Sequence, residues 1–255
     1  TLDSNTINDA GTGVSLSLID RSSIAKTLTL RNFDINDGEI GVQAFNQQPA
    51  YLGGTFGLTQ FLLTNINVDG ANNHALDFQN TGGNAADQLI GSVDNSSFSG
   101  AGDEAISISE ADSVRLFRNQ ISGSGNGSPA FSITTAGGST TGFVEVIQSI
   151  FNNPASTYEL QSNVNTQGVL LFQNELAGGT QGIVNYTGSD TLDLSGNWWG
   201  STTTDDFLSK IDGNIVDYSP FLNRGDDTDP VTPGFQGDFS YLNVDINSPQ
   251  VGIKN

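Results

Sequence analysis

Asp103, Glu104, Glu110, Arg115 and Arg118 come nearest, by residue type and spacing, to a reaction centre. Carboxylates beside guanidinium groups suit β-elimination, in which acids hold a calcium ion and a base removes the proton α to a substrate carboxylate. Two carboxylates alone, one acid and one base, would serve hydrolysis of a glycosidic bond. Arg115 and Arg118 stand near an acidic group made of Asp103, Glu104, Glu110 and Asp112. Surface ion pairing accounts for the same clustering. The rest of a catalytic set is missing: there is one histidine, His74 in N-N-H-A, with no serine-nucleophile motif and no phosphate loop. Asp226, Asp227 and Asp229 offer oxygen ligands to calcium, but their spacing is not that of a defined calcium loop.

Composition narrows the partners. The 255 residues carry 28 acidic and 8 basic side chains, a net charge of −20, which repels nucleic acid and anionic membranes and collects cations. Cysteine is absent, so disulfides, thiol chemistry and cysteine-based metal sites are excluded. No apolar run is long enough to span a bilayer. Apolar residues make up 35% and glycine contributes 31 positions, a mixture suited to many short strands joined by polar turns.

The elements that would position these groups are repeats. An apolar strand runs into an amide residue, and an apolar residue follows shortly after it, at Asn5, Asn32, Asn65, Asn95, Asn119, Gln148, Asn174 and Asn197, spaced by 23 to 33 residues. A second motif follows each anchor as small–apolar–polar–apolar: G-V-Q-A from Gly41, A-L-D-F from Ala75, A-I-S-I from Ala105 and A-F-S-I from Ala130. Period-2 alternation without a helical period, repeated at this length, predicts an all-β chain wound as a parallel β-helix of eight or nine coils, stacked about 4.8 Å apart. The amides form a structural ladder, each side chain bonding to its neighbour one coil away and tolerating the left-handed backbone of a sharp bend. In this register Arg118 lies one coil from Asp94. Phe33, Phe61, Phe78, Phe98, Phe117, Phe131, Phe151 and Phe172 fall mostly at inward positions as a stacked core.

Leu192–Ser201 reads L-D-L-S-G-N-W-W-G-S, and Gly213–Leu222 reads G-N-I-V-D-Y-S-P-F-L. The N-W-W-G closing coil and the V-x-Y-S-P-F-L strand resemble right-handed parallel β-helix repeat proteins of bacterial surfaces, within the pectate-lyase-like solenoid superfamily. The resemblance covers residues 1–222 and implies a fold more than an activity. It also implies that Trp198 and Trp199 cap the open end of the core. G-D-E-A-I-S-I from Gly102 resembles the G-D-D-x-I-x-I element of β-helical hydrolases, which makes Asp103 the candidate acid with Glu104 beside it. Residues 223–255 read as an acidic Pro/Gly linker, then a lead-in strand (F-S-Y-L-N-V-D-I-N) toward a further domain of the same chain.

The expectation is therefore a non-catalytic extracellular or cell-surface module, a rigid stalk or an adhesive, carbohydrate-binding surface of a larger bacterial protein. Its partners would be carbohydrate or another surface protein. The alternative is a polysaccharide lyase or glycoside hydrolase centred on Asp103, Glu104, Glu110, Arg115 and Arg118. No cofactor is expected apart from calcium.

Overall fold

A computed structural model describes residues 1–8, 11–18, 26–46, 59–80, 89–109, 111–124, 127–134, 142–151, 158, 160–163, 168–176, 182–213 and 215–249. The chain is a parallel β-solenoid. Three long strands, β1 (Leu2–Asn8), β3 (Lys26–Asn36) and β5 (Thr59–Asp69), alternate with β2 (Thr12–Leu18), β4 (Ile40–Asn46) and β6 (Leu76–Asn80). From there each turn carries three short strands. The first such turn is β7 (Leu89–Asp94), β8 (Ser97–Ala101) and β9 (Ile106–Ser109), and the next is β10 (Ser113–Phe117), β11 (Gln120–Ser124) and β12 (Phe131–Thr134). Then follow β13 (Phe143–Ile147), β14 (Ile150–Phe151) and β15 (Leu160–Ser162), and β16 (Val169–Phe172), β17 (Glu175–Leu176) and β18 (Val184–Tyr186). The last turn holds β19 (Leu192–Asp193), a bridge at Trp198, the short helix α1 (Thr204–Leu208) and β20 (Ile211–Gly213).

All of these strands pair in parallel with their counterparts one coil away. One sheet runs β1, β3, β5, β7, β10, β13, β16, β19 to β21 (Val216–Asp217), with β8, β11, β14 and β17 continuing from β5 on its second face. The other stacks β2, β4, β6, β9, β12, β15, β18 and β20. The solenoid has about five turns rather than the expected eight or nine. Toward the N-terminus the first two faces run together as one long strand, and further on all three faces form separate elements.

The second motif supplies the inward alternation of the second sheet. Val42 and Ala44, Leu76 and Phe78, Ile106 and Ile108, and Phe131 and Ile133 are all fully buried. Phe61 and Phe78 meet edge-on at 6.4 Å, worth roughly 1 kcal/mol beyond the area they bury. Six of the eight expected core phenylalanines are buried, but Phe117 and Phe172 are not. They follow the buried Leu116 and Leu171, so alternation turns them outward. At the C-terminal end Trp199 is buried and stacks on Phe207 of α1 at 5.3 Å, with Tyr218 and Phe221 packed edge-on against Phe207.

Residues 223–249, the described part of the expected linker and lead-in strand, lie back along the solenoid. β23 (Leu242–Asn243) pairs antiparallel with β22 (Phe221–Leu222). Phe235 is fully buried, and its N–H donates to the Gln148 carbonyl at 2.8 Å. Phe239 packs on Phe172 at 5.5 Å, and the Arg224 guanidinium lies 4.5 Å over the Tyr241 ring. Gly234, at φ +84°, is pressed against the Gln148 carbonyl and Arg118, where a Cβ would collide with both. Among the described residues no helix is long and apolar enough to cross a membrane.

Candidate functional site

The amide anchors occupy two adjacent columns rather than one. At the bend between the first two faces, Ser4, Asn32, Asn65, Asn95, Arg118, Gln148 and Gln173 all have positive φ, from 52° to 61°, and Gly196 follows at 72°. Asn5, Asn119, Asn174 and Asn197 belong to the next column, with Phe33, Ile66, Ser96 and Ser149. The two columns are one residue apart, so a sequence pattern keyed on amides merges them.

The outer column is a ladder of side chains. Asn65 Nδ2 donates to Asn32 Oδ1 at 2.8 Å, and Asn32 Nδ2 to Asp3 Oδ1 at 2.8 Å. Gln148 Nε2 donates to Gln173 Oε1 at 3.1 Å. From Phe33 onward the inner column is buried, and its polar members serve the backbone. The N–H groups of Ser96, Ser149 and Asn174 donate to the side-chain oxygens of Asn119, Asn174 and Asn197 at 2.9, 2.8 and 2.8 Å. The Nδ2 groups of these three asparagines donate to the carbonyls of Val93, Val146 and Leu171. These bend groups, which lack a strand partner, are thereby satisfied inside the core.

The expected reaction centre divides into two places. Asp103 and Glu104 lie in the turn before β9, half-buried, with the Asp103 N–H donating to the Asn73 carbonyl at 3.0 Å. Arg115 stands on the outer face of β10 and Arg118 at the following bend. Arg115 Nε bonds Glu145 Oε2 at 3.1 Å, and Arg118 Nε bonds Gln148 Oε1 at 2.9 Å. Both guanidiniums also lie over the Phe117 ring, 4.7 and 4.6 Å from its centre. Among the described residues no ion pair joins Asp103 or Glu104 to either arginine. Asp94 pairs in register with Phe117, so Arg118 stands one coil from Asn95 rather than Asp94. Burial pushes the Asp94 carboxyl up, and the charge it feels in return is that of Arg115. Glu110 lies outside the described residues.

A second cluster surrounds the only histidine. His74 Nδ1 lies 3.3 Å from Glu104 Oε2, one coil away, without an aligned hydrogen bond. The Glu104 carboxylate raises the His74 pKa against the opposing effect of burial, and His74 holds Glu104 low. Asp77, on the outward side of β6, is 1% exposed. Its Oδ2 accepts from Gln79 at 2.8 Å and Gln43 at 3.3 Å, while Oδ1 has no aligned hydrogen bond among the described residues. Burial raises its pKa, partly offset by the charge of His74. Two signals in the sequence point to this cluster: Asp77 is the one acid in the polar slot of A-L-D-F-type motifs, and His74 and Glu104 precede equivalent alanines, Ala75 and Ala105.

The tail aspartates close turns. Asp227 Oδ1 accepts from the N–H groups of Asp229 and Gln236 at 3.0 and 3.2 Å, and Asp229 Oδ2 accepts from Thr232 at 2.5 Å. Asp226 is exposed. Among the described residues no group of three or more His, Cys, Asp or Glu side chains is arranged to hold a metal ion.

Fold and side-chain arrangement together define the class: a parallel β-solenoid whose coils are tied by polar ladders. No protein-family model, no curated protein and no solved structure matches the chain.

Proposed function

We propose that this solenoid is a non-catalytic extracellular module of a larger bacterial surface or secreted protein, a rigid spacer that presents an adhesive or carbohydrate-binding surface. The observation that carries the reading is where the candidate catalytic groups spend their interactions. Arg115 is tied to Glu145, Arg118 to Gln148 and Glu104 to His74, each across one coil step. Contacts of this kind fasten coil to coil, whereas a lyase needs its base free and facing the substrate carbon. The finer placement among right-handed, pectate-lyase-like solenoids with an N-W-W-G closing coil rests on the repeat pattern. The burial of Trp199 against Phe207 at the C-terminal end supports it.

A second reading, a glycoside hydrolase or polysaccharide lyase, is favoured by Asp77. A buried carboxyl whose pKa is raised has the character of a general acid, and Glu104 and His74 stand beside it. One experiment separates the two readings. Purified protein is incubated with neutral and uronate polysaccharides, with and without calcium, while unsaturated-product absorbance, reducing ends and bound fraction are followed. Binding without turnover supports the module. Turnover abolished by Asp77→Asn or Arg115→Gln establishes the enzyme.

A further inference from the structure

The outer bend column contains one charged residue, and it is a cation in a strongly acidic chain. The other members with positive φ are Ser4, Asn32, Asn65, Asn95, Gln148, Gln173 and Gly196. Asn is the side chain best suited to this left-handed conformation, and arginine has no such preference. At φ 58° Arg118 gives up backbone comfort, and it takes the place of an amide in the ladder by donating through Nε to Gln148 Oε1. A residue held in a disfavoured conformation points to a role outside the backbone.

What Arg118 does there is set by its neighbours. Its Nε is anchored on a neutral amide, Gln148 Oε1, and among the described residues no carboxylate forms an ion pair with it. Arg115 is anchored through Nε on Glu145 and remains 46% exposed. Both guanidinium carbons lie within 4.7 Å of the centre of one ring, that of Phe117. The terminal nitrogens of the two arginines make no hydrogen bond with any described residue. Two planar cations are thus pre-positioned beside an outward aromatic ring, each with a donor edge that no described residue uses.

We propose that Arg115, Phe117 and Arg118 form a binding site for an oxyanion-bearing glycan, the guanidinium edges taking a sulfate or carboxylate group and the ring packing on the sugar beside it. The proposal rests on the carbohydrate-binding reading above and names its ligand class and its place. The molecule's −20 charge opposes a polyanion at long range, but that field is screened beyond about 8 Å at physiological ionic strength, whereas contacts at the guanidiniums are not. Asp94 and Glu145 flank the site and oppose an anion there, so the guanidinium contacts must be supplemented by packing of the sugar on the ring.

The test uses the whole chain and three polymers in the presence of a calcium chelator: dextran sulfate, polygalacturonate and uncharged dextran. Wild type is expected to bind at least one of the two anionic polymers, which tells sulfate from carboxylate, and not dextran. Arg118→Asn should weaken that binding by about tenfold or more, the usual effect of losing a charge-assisted contact. The same substitution installs the residue the column prefers, so its unfolding midpoint should hold or rise. Arg115→Gln should weaken binding similarly. Three results overturn the proposal: no binding to either anionic polymer, equal binding to dextran, or unchanged binding by Arg118→Asn. A destabilised Arg118→Asn would instead assign the arginine to the ladder. Turnover would sink the non-catalytic reading separately, since it is read from products and not from the bound fraction.

Discussion

In the N-terminal coils the bend between the first two faces carries Asn32 and Asn65 outside and Phe33 and Ile66 inside. In the C-terminal coils the same two positions are Gln148 and Gln173 outside and Ser149 and Asn174 inside. The backbone responds. With an apolar residue inside, strand pairing continues through the bend, Phe33 opposite Ile66, and β3 and β5 are single strands of 11 residues. With a polar residue inside, side-chain oxygens take the N–H groups of Ser149 and Asn174, and the strand divides into β13 and β14. Ser96 marks the change, accepting the Ile66 N–H at 3.0 Å on one side and donating its own N–H to Asn119 on the other. One geometric demand, satisfying the backbone at a sharp turn, thus has two solutions in one molecule. Only the C-terminal version is covered by the returning tail, through Phe235 and Phe239.

The cover should be the easiest part of this contrast to break. Phe235→Ala empties a fully buried site and should cost about 3 kcal/mol, felt first as release of the tail. Hydrogen exchange should accelerate at the amides of Phe235 and Asn223 while those of β3 and β5 stay protected. Uniform acceleration along the solenoid would mean the tail and the coils unfold as one unit. The two bend chemistries come next. Asn174→Ala strands the Ser149 N–H and the Val146 carbonyl in the core, a loss of about 2–3 kcal/mol. Asn65→Ala removes an exposed ladder bond and puts alanine at φ 54°, a loss of about 1 kcal/mol. Denaturant midpoints of the two variants check the order, and equal losses would erase the distinction between the columns.

The repeat, the all-strand character and the parallel stacking were legible because the inward positions alternate with period 2 and recur once per coil. The bend was legible only in part. Asn is favoured both at an exposed left-handed position and as a buried acceptor for backbone N–H groups, so Asn65 and Asn174 read alike though they differ in burial, partners and conformation. Phe117 and Phe172 misled for a related reason: a phenylalanine one place beyond an inward leucine still looks like core, and what holds it is specific to the third dimension, two guanidiniums in one case and Phe239 in the other. The meeting of His74 with Glu104 required the register of the second sheet, which loops of unequal length conceal along the chain.

That meeting gives the smallest and most pH-dependent effect. His74 has its pKa raised in the fold, so its contribution is complete below its ordinary 6.5 and is lost as pH rises through the folded value. Glu104 is lowered, so its contribution is present above its ordinary 4.5 and is lost as pH falls through the folded value. The pair therefore supports the stack most fully between these two limits. Asp77 acts in the opposite sense to Glu104: its pKa is raised by burial, so it favours the fold below its ordinary 3.8 and opposes it as pH rises and the buried carboxyl ionises. Asp77→Asn retains an oxygen for Gln43 and Gln79 and removes the buried charge. It should raise the unfolding midpoint at pH 7.5, with a gain that shrinks as pH falls through the raised folded value and vanishes below the ordinary 3.8. Loss of the Asp77 charge also lets His74 fall toward 6.5, so part of the gain is returned where the histidine titrates. A lower midpoint at pH 7.5 would show that the ionised carboxylate is held by partners worth more than its desolvation, and that the second sheet keeps a charge at Asp77 as the first sheet keeps one at Arg118.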